Sequence, residues 1–173
     1  MSIQDTPDWH YLRRLIIIRH GETEVYSRSD HQRALTPRGV YALGHTRAKL
    51  QSVLEELSAV DDLEVWVSDA RRAQETWTTL ERGLDIPPHV SLVVRRDAEL
   101  YLATQDTLYQ RLIEADLNMQ TSKIILIIGH NPGLSDLVSL LTCRPHTLDT
   151  GALVALGFED DRWVFKSSQQ EIG

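Results

Sequence analysis

One stretch limits what this chain can fold into: Leu15-Ile16-Ile17-Ile18-Arg19-His20-Gly21-Glu22-Thr23. Leu15 to Ile18 is apolar and, apart from the leucine, β-branched, with no polar alternation. That is how a strand covered on both faces reads. The run stops abruptly at a permanent cation, an imidazole and a glycine. Ligands of open α/β sheets bind at the carboxyl ends of strands, so His20 is a site candidate from local physics.

The rest of the chain supplies the other layers. Thr36-Pro37 is a helix start, with Thr as N-cap and Pro in the first turn. Val40, Leu43, Leu50, Val53 and Leu54 continue at helical spacing to Leu57, and Asp61-Asp62 breaks the pattern. Leu63 to Val67 is a second strand, followed by a helix through Trp77 and Leu80 that stops at Gly83. Val90 to Val94 is a third strand, and Asp106 to Leu117 is helical. Ile124 to Ile128 is a second strongly apolar strand that ends Gly129-His130-Asn131-Pro132. Asn131 caps and Pro132 opens the next helix, and Ala152 to Leu156 with Trp163 to Phe165 form a closing hairpin. Strands alternate with helices, so the expected class is α/β, with a largely parallel, mixed sheet between helices. Residues 1–12 are expected to form a loose leader, with Trp9 and Tyr11 at the edge of a single domain spanning 13–173.

Charge and cysteine content narrow the function classes. With 18 Lys+Arg against 25 Asp+Glu, the formal charge of -7 argues against general nucleic-acid or anionic-membrane binding. It also makes a local cluster of arginines informative. The single cysteine, Cys143, excludes an internal disulfide and is expected to be a buried thiol in a cytoplasmic protein. No His-Glu-x-x-His motif or cysteine pair is present, so no metal or other cofactor is expected. His10, His45, His89 and His146 have no motif around them and are expected at the surface or in packing.

Three strands thus end in polar residues that can share one edge: Arg19-His20, Ser68 with Arg71 or Arg72, and His130-Asn131. Arg33, from the loop after the first strand, can join them. Each piece alone has a bland reading, as a structural histidine, a solvated arginine pair or a helix cap. Together they fit a phosphoryl group. Guanidinium grips phosphate oxygens with a planar fork, and a neutral imidazole nitrogen can attack phosphorus.

The segments Arg19-His20-Gly21, Arg33-Ala34-Leu35-Thr36-Pro37-Arg38-Gly39, Val67-Ser68-Asp69-Ala70-Arg71-Arg72-Ala73-Gln74-Glu75-Thr76 and Gly129-His130-Asn131-Pro132-Gly133 resemble the histidine phosphatase superfamily. Their order and the short chain most resemble its small SixA-type phosphohistidine phosphatases. The resemblance covers about residues 13–158 and implies a three-layer α/β/α, phosphoglycerate mutase-like fold. It implies His20 as the nucleophile that becomes phosphohistidine, Arg19 beside it, and His130 as a second imidazole donating to phosphoryl oxygens. It favours Arg72 over Arg71 and Arg33 over Arg28, with Gly21, Ser68 and Asn131 lining the substrate and Thr150-Gly151-Ala152 as a late loop.

Gln74-Glu75 inverts the family's order of acid and amide. Tyr26 stands where the mutase and small-ester branch has an asparagine. Asp30, Glu99 and Glu24 are the candidate general acids. The implied activity is hydrolysis of phosphohistidine on a protein. Alternatives are a phosphatase of a small sugar or nucleotide phosphate, or a non-catalytic module that recognises phosphorylated partners.

Overall fold

A computed structural model describes residues 7–56 and 62–166 of the chain. In order, the elements are β1 (Leu12–Arg19), α1 (Pro37–Glu56), β2 (Asp62–Ser68), α2 (Arg71–Glu81), β3 (Ser91–Asp97), α3 (Gln105–Asn118), β4 (Lys123–Gly129), α4 (Gly133–Thr142), β5 (Leu153–Glu159) and β6 (Arg162–Phe165). Side chains of β1 alternate between two cores. Leu15 and Ile17 pack with Leu108 and Leu112 of α3 and Leu134 and Val138 of α4. Ile16 and Ile18 pack with Leu43 and Leu50 of α1 and Trp77 and Leu80 of α2. β4 divides the same way, Ile125 and Ile127 to one face and Leu126 and Ile128 to the other. Both runs lack polar alternation because both of their faces are covered by helices.

The sheet order is β3-β2-β4-β1-β5-β6. The first four of these run parallel, while β5 pairs antiparallel with both β1 and β6. This is the three-layer α/β/α arrangement with a mixed sheet, and the terminal hairpin supplies the antiparallel part. The chain leaves β1 towards α1 on one face and leaves β4 towards α4 on the other. Adjacent strands whose connections diverge open a crevice at their carboxyl ends.

Local differences from expectation have physical causes. The last residues of the expected leader are fastened: Trp9 is buried edge-on to Trp163 at 5.6 Å. The N–H groups of His10, Tyr11 and Leu12 donate to the carboxylate of Asp116 at 3.2, 2.8 and 2.7 Å. A buried carboxylate needs such donors, so Asp116 draws the start of β1 onto α3. Cys143 is exposed rather than buried. It adopts φ +55 at the left-handed turn that ends α4, which faces its side chain away from the apolar stripe. Leu57 and Asp61, where α1 is expected to stop, lie outside the described residues. Among the described residues, no helix is long and apolar enough to cross a membrane.

Candidate active site

The crevice gathers the ends of β1, β4 and β2, which are neighbours in the sheet. Ile18 is level with Ile128, and Ile128 with Val67, so the next residues meet at one height. The His20 N–H donates to the Gly129 carbonyl at 3.1 Å, locking the β1 end to the β4 end. Behind it, the Gly151 N–H donates to the carbonyls of Arg19 and His20 at 3.0 and 2.9 Å. The expected late loop therefore braces the strand end through its backbone.

His20 is buried, and its Nδ1 donates to the Gly21 carbonyl at 2.8 Å. That bond fixes the tautomer and leaves the lone pair on Nε2, which receives the Arg72 Nε–H at 3.3 Å. Burial pushes the His20 pKa down from 6.5 to about 4 against the opposing Gly21 bond. The guanidiniums of Arg72, Arg19 and Arg33 lower it further. The ring of His130 stands 5.3 Å away, centroid to centroid. Burial, followed by Arg72 and His20, takes its pKa to about 3. Both imidazoles are therefore neutral near pH 7, the state in which a ring nitrogen has a free electron pair.

Arg72 is 1% exposed, an unusual place for a guanidinium. The Gly21 N–H donates to Thr76 Oγ1, which in turn donates to the Arg72 carbonyl, so the start of α2 is tied to the end of β1. Successive helical residues lie about 100° apart, so only one of the two arginines can face inward. Arg71 faces out and pairs with Glu75 at 2.6 Å. Arg33 reaches the cluster from the loop, which Thr23 and Leu35 pinch at its neck. Its Nη1 donates to Thr23 Oγ1 at 2.7 Å, while Arg28 is exposed. Arg19 Nη1 donates to the Leu148 carbonyl, and its Nε is buried with no partner among the described residues.

Asp30 lies within this cationic group. It accepts from Arg72 Nη2 at 3.0 Å, from Arg33 Nε at 3.0 Å and from the Tyr101 hydroxyl. The Tyr101 hydrogen bond leads in lowering its pKa to about 2, with Arg72 and Arg33 adding to it. Asp30 is thus ionised near neutrality, which is contrary to what a proton donor needs. Glu99 turns outward to Arg111 at 2.9 Å, and Glu24 is exposed, with its carbonyl taken by Arg33.

Two expected substrate contacts are engaged elsewhere. The amide of Asn131 spans from the Leu148 carbonyl to the N–H and hydroxyl of Ser135, capping α4. Ser68 is fully buried with its hydroxyl 2.7 Å from His130 Nε2.

Sequence reasoning missed Tyr101. Its ring lies 5.7 Å from the Arg72 guanidinium carbon and 5.5 Å from the His130 ring, forming a wall of the site. The signal was its place just past β3, the next parallel strand; the turn at Ala98–Leu100 sends Tyr101 inward and Glu99 outward.

Residues 15–94 match the sequence model of the histidine phosphatase superfamily (branch 1). No curated protein sequence matches the chain. Solved structures share its fold. A protein from Agrobacterium tumefaciens assigned as the phosphohistidine phosphatase SixA is 20% identical at a TM-score of 0.68, over 91% of this chain and 97% of that one. The protein histidine phosphatase SixA in complex with tungstate is 24% identical at 0.66, over 89% and 94%. The α-ribazole phosphatase from Shigella flexneri is 20% identical at 0.54, over 88% and 94%. The motif-bearing segment thus matches the histidine phosphatase superfamily, the fold around it is shared with solved phosphatases, and the two together support a phosphatase.

Proposed function

We propose that this phosphatase removes the phosphoryl group from a phosphohistidine side chain of a protein, through a phosphoryl group held on its own His20. The Nε2 lone pair attacks phosphorus. The substrate N–P bond breaks with its electron pair left on that nitrogen, and the ring departs as neutral imidazole because its other nitrogen already carries a proton. Arg72, Arg19 and Arg33 balance the charge on the phosphoryl oxygens, and His130 donates to one of them. Water then attacks phosphorus, the Nε2–P bond breaks with its pair returning to Nε2, and phosphate leaves.

The observation that carries the choice of substrate is Asp30, held ionised by Tyr101, Arg72 and Arg33. An alkoxide leaving group needs a proton, whereas an imidazole leaves readily without a strong acid. The loop between Thr23 and Leu35 is short and pinched at its neck, which leaves little chain for a lid closing over a small substrate, and the resemblance to SixA structures agrees with a protein substrate.

The test is a substrate panel containing a phosphohistidine peptide, a sugar phosphate and a nucleotide monophosphate, with His20→Ala as control. Fastest turnover of the peptide with an acid-labile phosphoenzyme is expected. Faster hydrolysis of an ester would move the reading to a small-ester phosphatase. Tight phosphate binding without a phosphoenzyme would make it a recognition module.

A further inference from the structure

We infer that Ser68 is a positioning residue: its hydroxyl donates to His130 Nε2 and thereby keeps the ring proton of His130 on Nδ1, as the donor for a phosphoryl oxygen. The inference deepens the proposed function and rests on it for its catalytic consequence.

Ser68 closes β2, the strand on the far side of β4 from β1, and is 0% exposed. Its oxygen already accepts the Ala70 N–H at 3.3 Å and lies 2.7 Å from His130 Nε2. With the ring neutral, only two assignments of the protons exist. Suppose Nε2 carried the ring proton and donated to Ser68. The hydroxyl hydrogen would then have no acceptor among the described residues, and His130 Nδ1 would be a bare, buried lone pair with no donor. That assignment strands two buried groups. With the hydroxyl donating to Nε2, both Ser68 and Nε2 are satisfied, and only Nδ1–H is left over. Stranding a buried polar group is costly, so the second assignment is favoured.

His130 Nδ1 is one of the buried side-chain atoms with no partner among the described residues. Since Nε2 is engaged by Ser68, Nδ1 is the ring atom left for a substrate. A lone pair there would repel a phosphoryl oxygen, whereas an N–H attracts it. His20 has the same proton arrangement for the opposite purpose. The Gly21 carbonyl holds its proton on Nδ1 so that Nε2 attacks, whereas Ser68 holds the His130 proton on Nδ1 so that Nδ1 donates. One hydroxyl at the end of β2 thus sets the sign of the second imidazole.

The experiment is nitrogen NMR of the full chain with labelled histidine at pH 7, His130 being assigned by difference from His130→Gln. The proton is expected on Nδ1 in the parent protein. Ser68→Ala is expected to release the ring into a mixture of tautomers. It should lower kcat by about a hundredfold with KM little changed, as for loss of one donor aimed at developing charge. Ser68→Thr, which keeps the hydroxyl, should restore both the tautomer and most of kcat.

A proton on Nε2 in the parent, or an unchanged tautomer in Ser68→Ala, overturns the inference. The parent measurement decides even where a variant fails to fold. Absence of a His20 phosphoenzyme would defeat the proposed function instead, and it is independent of the tautomer.

Discussion

At the scale of single residues, the site depends on keeping cations near imidazoles without protonating them. Burial and three guanidiniums hold His20 down at about 4, so its lone pair survives well below the pH at which a free histidine titrates. The acid limb of kcat/KM is therefore expected near 4 rather than near 6.5, because protonation of the attacking nitrogen ends activity. A pH–rate profile on the free enzyme measures this, and a limb at 6.5 would mean that the attacking group is solvated. His20 and His130 are close enough to titrate as a pair, so the limb belongs to both rings.

Asp30 tests a different idea. Asp30→Asn keeps the side chain's shape but removes the charge that anchors Arg72 and Arg33. The expected loss is about ten- to hundredfold in kcat, from misplaced guanidiniums. It should be equal on phosphoramidate and ester substrates, since an ionised carboxylate gives a proton to neither. Collapse of ester hydrolysis alone would identify Asp30 as a proton donor.

At the scale of elements, the strand ends are aligned by backbone fit as well as by side chains. α4 begins at Gly133, where an added Cβ would lie 1.9 Å from the Ala103 carbonyl oxygen. Gly133→Ala must push the start of α4 away from the turn before α3, taking the His130 backbone with it. A loss of about 1–3 kcal/mol is expected by urea unfolding, the usual cost of overpacking, with activity falling further than stability.

Much at this scale was legible in the sequence. Leu15–Ile18 and Ile124–Ile128 announced two central strands because both faces of each are apolar, and Thr36-Pro37 marked a helix start through capping chemistry, with the Thr36 hydroxyl accepting from Gly39. What stayed illegible depended on packing between distant segments. Arg71 and Arg72 are neighbours in sequence, and only the tie from Gly21 through Thr76 sets which one turns inward. Ser68 and Asn131 carry the right chemistry, but their partners, His130, Leu148 and Ser135, are chosen by tertiary contact. Tyr101 had no motif at all. Asp116 carries no motif either, and only the fold brings the N–H groups of His10, Tyr11 and Leu12 onto its carboxylate.

At the scale of the whole molecule, the two neutral imidazoles couple stability to pH. Both pKa values are lowered in the folded chain, so the unfolded chain binds more protons between about pH 6.5 and 4. Their contribution is complete above about 6.5 and is lost as the pH falls through about 4. Urea midpoints measured across this window are expected to decline towards acid, and His20→Gln should flatten the decline. A slope unchanged by that variant would mean that other groups govern acid sensitivity.

The sheet order carries a consequence for how the protein comes into being. β4 follows β1, β2 and β3 in the chain, yet it lies between β1 and β2. A nascent chain that has emerged only as far as β3 therefore owns Arg19, His20, Arg33 and Arg72 but has a gap one strand wide where they should meet. Two pieces divided between β3 and α3 are each expected to be inert, with turnover returning only on mixing, when β4 slides into its slot. Assembly of the site thus waits on the part of the chain that fills the middle of the sheet.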